Sequence, residues 1–156
     1  MAKESYSRET MAKLATEKSF LSLAGEYAVC SELQKLGVNC SLTYGNQKAT
    51  DVIVLNETTK EFRRIEVKTS RSKRFVTGFF QKYYDDRIHP DYWVIVYIDE
   101  NNRSHFYIMT HQEMGDIQME RNKMTKWHRE EKGCDTVELG NIEMHKNKWN
   151  KIIEFK

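Results

Sequence analysis

Residues 92–98, Tyr-Trp-Val-Ile-Val-Tyr-Ile, form the longest apolar run in the chain, and it is only seven residues long. A membrane-spanning helix needs about twenty apolar residues, so this run does not cross a bilayer. Its β-branched and aromatic content, with no polar residue interleaved, reads as a central strand of a sheet. At 39% apolar over 156 residues, one domain can cover such a strand without covalent staples, burying roughly 68–70% of its unfolded surface. The three cysteines (Cys30, Cys40, Cys134) form no close pair in the sequence, so reduced, buried thiols are expected. One proline, no repeat and no apolar leader-like stretch at the N-terminus complete the expectation of a cytoplasmic, soluble single domain with no membrane contact.

Around that strand the periodicity lays out an α/β domain. Residues 1–18 are polar and read as an N-terminal arm; residues 19–156 form the domain, with a core to about residue 122 and a C-terminal extension over 123–156. Ser19 can cap a helix running to Leu36, with Gly37 as its stop. Strands are expected over 38–44, 52–55 and 63–68, with Asn46 in a turn, and then over 92–98 and 105–109. Thr110 and Glu113 make a capping box that opens a second helix. The result is a mixed sheet flanked by helices.

Two positions break the expected polarity. On the first helix Val29, Cys30 and Leu33 share one face, and Glu26 lies in the middle of that apolar stripe, where a carboxylate is costly unless it is paired, metal-bound or facing a cleft. On the strand over 63–68, Ile65 and Val67 point to the core, while Arg64, Glu66 and Lys68 point the other way. A Glu-x-Lys triplet alone says little: 16 Glu and 16 Lys give about 1.6 by chance, and a second one, Glu130-Glu131-Lys132, sits in a polar stretch. What distinguishes the first is Asp51, which opens the preceding apolar strand fifteen residues upstream. Carboxylates at the ends of adjacent strands can share a hard divalent cation, with Glu26 as a third donor, and Lys68 beside them can orient a water or hold a phosphate oxygen.

Gly25-Glu26-Tyr27-Ala28, Ala49-Thr50-Asp51-Val52-Ile53-Val54 and Arg64-Ile65-Glu66-Val67-Lys68-Thr69-Ser70, in that order, resemble the PD-(D/E)xK nuclease superfamily with its restriction-endonuclease-like fold. The group that includes archaeal Holliday junction resolvases is the most similar, over about residues 19–110. The resemblance implies a Mg²⁺-dependent DNA endonuclease, with Mn²⁺ as a possible substitute. Asp51 and Glu66 would be the cation ligands, helped by the Val67 carbonyl. Lys68 would place or activate the attacking water, and Glu26 would complete the site or orient Lys68. Thr50 stands where the family has its proline, which supplies backbone restraint and not chemistry.

Seven basic residues against two acidic ones over residues 60–74 make a local basic patch in a chain whose net charge is only +2. That balance excludes a uniformly basic nucleic-acid coat but not a local phosphate contact, for which Arg64, Arg71, Lys73, Arg74 and Lys48 are the candidates. Pro90-Asp91 follows the Glu-x-Lys instead of preceding it and reads as a strand entry. Phe79, Phe80, Tyr83 and Tyr84 can stack on bases, yet their spacing fits core packing better. The five histidines have no zinc or hydrolase spacing. Two alternatives to the nuclease stand beside it: a non-catalytic binding module on the same fold, and a carboxylate-paired glycosidase, which has no need for the lysine or the basic rim. Cutting both strands of DNA would call for a homodimer.

Overall fold

The computed structural model describes residues 7–44, 49–84, 87–128 and 131–155. The chain opens with α1 (Arg8–Lys35), capped by the Ser7 hydroxyl, which accepts from the Thr10 N–H at 3.2 Å. The helix therefore starts eleven residues before the expected cap at Ser19, and residues 8–18 are its first three turns instead of a separate arm. Residues 8–20 are all exposed, so no core-facing periodicity was there to be read. The helix ends where anticipated, with Gly37 at φ +73°, a conformation that favours glycine.

β1 (Cys40–Leu42), β2 (Val52–Leu55), β3 (Phe62–Ser70), β5 (Tyr92–Ile98) and β6 (Ser104–Thr110) form one sheet in the order β1-β2-β3-β5-β6. Only the β3–β5 pair is parallel. β5 has the expected bounds and sits inside the sheet, with Trp93 to Val96 fully buried. β4 (Arg74–Val76) pairs with β7 (Thr136–Glu138) in a second, two-stranded sheet. The Thr110–Glu113 capping box opens α2 (His111–Arg121). Short helical turns α3 (Leu139–Ile142) and α4 (Asn150–Ile153) close the chain.

Both faces of the large sheet are covered. One packs Val52, Ile65, Val67, Val94 and Val96 under Val29 and Leu33 of α1 and against Trp149 and Ile152. The other packs Trp93, Ile95 and Met109 against the π-helical turn Phe79–Tyr83, Met114 of α2, Trp127 and Val137. Each fully buried large apolar side chain contributes about 1.5–3 kcal/mol. The aromatic cluster is core, as its spacing suggested: Phe79, Phe80 and Tyr83 are buried in edge-to-face and stacked contacts. Asp91 serves the strand entry, its carboxylate accepting from the Arg64 N–H at 2.7 Å. The three thiols are free, as expected, but not all are buried. Cys134 is exposed, and Cys30 and Cys40, ten residues apart, bring their sulfurs to 3.2 Å across α1 and β1.

Candidate active site

The site arises where one strand ends before its neighbour. β2 pairs with β3 only over Phe62 to Ile65, while β3 continues to Ser70 along β5. Past that point no strand among the described residues pairs with the β2 side of β3, and the Val67 N–H donates to the Asp51 carboxylate at 2.7 Å. The gap left by β2 opens into a hollow of about 410 Å³, lined among others by Glu26, Asp51, Val67, Lys68 and Arg74. It is reached from the α1 side by Glu26 and from the other face of β3 by Lys68.

Glu66 stands behind that wall. It is 5% exposed, and its Oε1 accepts from Lys68 Nζ at 2.7 Å and from the Tyr83 hydroxyl at 3.1 Å. Lys68 is the ammonium facing three carboxylates that interact electrostatically, Glu26, Asp51 and Glu66. The imbalance is visible in the acidities. Burial and then the negative charges of Asp51 and Glu66 push Glu26 up to about 7, with Lys68 opposing. Burial and then Glu66 push Asp51 up to about 6, against the pull of the Val67 N–H and Lys68. Excess negative charge held in a half-buried hollow, on hard oxygen donors, fits a divalent cation. Among the described residues no three His, Cys, Asp or Glu side chains are gathered tightly enough to hold an ion by themselves. A cation here would rest on fewer carboxylates, with a backbone carbonyl and water completing its shell, as Mg²⁺ commonly does.

The basic candidates separate. Arg74 lines the hollow, and Arg71 lines an adjoining one of about 560 Å³ that shares Lys18 and Leu21 with it. Lys73 is exposed and lines neither; Arg64 lies over the Phe62 ring, away from both. Lys48 and Asn46 fall outside the described residues. Two residues in the wall, Lys18 and Ser22, escaped the sequence reading. Their four-residue spacing to Glu26 was the available signal, since it puts Lys18, Ser22 and Glu26 in one row along α1. It was lost by starting the helix at Ser19. Nothing in the sequence pointed to the bond from Tyr83 to Glu66.

No protein-family model and no curated protein matches the sequence. Similar architectures exist among solved structures. A bacterial homing endonuclease superposes with a TM-score of 0.54 at 12% identity, covering 88% of this chain and 92% of the other. A Holliday junction resolvase from the archaeal hyperthermophile Archaeoglobus fulgidus gives a TM-score of 0.44 at 14% identity, over 79% and 88%. The mixed five-stranded sheet flanked by helices is a restriction-endonuclease-like fold. Among the described residues no helix is long and apolar enough to cross a membrane.

Proposed function

We propose that the protein is a Mg²⁺- or Mn²⁺-dependent endonuclease that hydrolyses phosphodiester bonds in DNA. In this reading Asp51 and Glu66 hold the cation with the Val67 carbonyl, and Glu26 closes the site. When bound, the cation supplies Lewis acidity at the scissile phosphate and a more acidic water. The side chains do the rest. The Val67 N–H fixes one oxygen of Asp51, leaving the other for the ion. Lys68, tethered to Glu66, places or activates the attacking water and offsets charge building on the phosphate. Arg74 at the rim, with Arg71 beyond it, receives flanking phosphates, contacts that weaken with salt.

The observation that carries the reading is the hollow where β2 leaves β3, lined by Glu26, Asp51 and Lys68, with Glu66 behind it repelling both carboxylates. A purely structural Glu66–Lys68 ion pair gives no reason for Asp51 and Glu26 to be crowded against it. A second copy of the chain would be needed to reach both strands of a duplex; exposed Phe20, Leu23 and Tyr27 on α1 are candidates for that contact.

The test is a panel of single-stranded, duplex, flapped and junction DNA with Mg²⁺ or Mn²⁺. Asp51→Asn and Lys68→Ala are expected to abolish metal-dependent cleavage while the circular dichroism stays native. Cleavage that survives in both variants refutes the assignment. Absence of nicking by the wild type, together with a melting temperature insensitive to either cation, favours the non-catalytic binding module instead.

A further inference from the structure

The Tyr83 hydroxyl donates to Glu66 Oε1 at 3.1 Å, seventeen residues back along the chain. With Lys68 also on Oε1, that oxygen of Glu66 has two donors, and among the described residues none is placed on Oε2. Tyr83 itself is 4% exposed and meets Trp93 edge to face at 5.4 Å. The π-helical turn that bears it is anchored without the hydroxyl: the Phe80 N–H donates to the Asp135 carboxylate at 2.7 Å, and the Thr77 N–H to the Asp135 carbonyl at 2.8 Å. Single π turns recur at functional sites. A phenylalanine would fill the same space, so packing alone does not account for the hydroxyl.

From these contacts we infer that Tyr83 is a positioning residue for the cation site, its hydroxyl setting the orientation of the Glu66 carboxylate. The inference rests on the nuclease reading above. Partners that orient metal-ligating carboxylates are worth about 10–100-fold in cation affinity or activity.

The experiment titrates the full-length wild type, Tyr83→Phe and Tyr84→Phe with Mn²⁺, by calorimetry and by thermal shift, and measures kcat and KM on cleavable DNA. Tyr84 is the control; it lies next to Tyr83, and its hydroxyl accepts from the Trp127 N–H instead. Tyr83→Phe is expected to weaken Mn²⁺ by about 10–100-fold and lower kcat with KM for DNA unchanged, Tyr84→Phe to leave both alone. In a Glu66→Gln background Tyr83→Phe should add little, because its effect runs through Glu66. Wild-type affinity in Tyr83→Phe, or an equal loss in the Glu66→Gln background, overturns the inference and leaves the nuclease reading standing. A wild type that binds no Mn²⁺ removes both. Should Tyr83→Phe lose its native circular dichroism, 3-fluorotyrosine at position 83 keeps the shape and strengthens the donor. It should tighten Mn²⁺ binding, and unchanged binding there overturns the inference equally.

Discussion

Replacing Gly25 with alanine would drive α1 into β3. A Cβ built on Gly25 meets Thr69 Oγ1 at 1.8 Å, Cβ at 2.9 Å and Cγ2 at 3.0 Å, where ordinary contacts lie at 3.4–4 Å. Rotating the Thr69 side chain moves the hydroxyl but leaves its Cβ in place, so the helix itself must lift. Overpacking of this kind costs about 1–3 kcal/mol, and the overlap here belongs at the upper end. Alanine returns about 0.8–1.0 kcal/mol of helix propensity, leaving a net loss of about 2 kcal/mol. At about 2–4 °C per kcal/mol for a chain of this length, Tm should fall by about 4–8 °C. Thr69→Ala removes two of the three colliding atoms and a buried hydroxyl that has no hydrogen-bond partner, so alone it should be close to neutral. In that background the Cβ at position 69 still lies 2.9 Å from the new methyl, so Gly25→Ala should keep part of its cost, a coupling of about 1 kcal/mol in a double-mutant cycle read by thermal and urea unfolding. If Gly25→Ala melts at or above the wild type, or loses as much with Thr69→Ala as without it, the close approach of α1 to β3 is wrong. Glu26, the next residue on the helix, would then be misplaced as well.

Three further outcomes follow from the charges. Glu26→Gln should raise Tm by about 1–4 °C at pH 8 without cation while lowering cleavage, because the ionised carboxylate is disfavoured in the folded chain; half-exposure limits that gain to about 0.5–1 kcal/mol. Measured by calorimetry, Mn²⁺ affinity should fall steeply from pH 7.5 to 5.5, because Glu26 near 7 and Asp51 near 6 then keep protons that the ion must displace; a flat profile would contradict the crowding. His111, pushed down to about 4 by burial and then by His89, stays neutral in the fold at a pH where the unfolded chain already takes up its proton. Its contribution to stability is therefore intact above pH 6.5 and lost progressively as pH falls toward 4, so His111→Gln should flatten that limb of the Tm profile.

Short-range rules were enough wherever a local pattern matched its final environment. The solid run 92–98 became β5 with the same bounds, and Thr110 with Glu113 became the capping box that opens α2. The alternation over 63–68 put Glu66 and Lys68 on the face opposite Ile65 and Val67. That face is not open: Trp93 and Ile95, the register partners of Glu66 and Lys68, help form a second core there. The sequence could not show this, because the cover comes from residues 75–83, 114, 127 and 137, far away along the chain. The start of α1 is hidden for the opposite reason: its first turns are exposed, so no stripe of buried apolar residues marks them.

By itself, then, the order of residues determined the strands of the large sheet, one core-facing side of β3 and which side chains carry carboxylates and an ammonium; these follow from periods of two and 3.6 that any short segment imposes. Only the tertiary structure decided that β2 stops at Leu55 while β3 runs beside β5 to Ser70 and leaves a hollow at Asp51, and that Tyr83 reaches back seventeen residues to Glu66. Gaps between strands and contacts across them depend on where distant segments pack, and no local period encodes that.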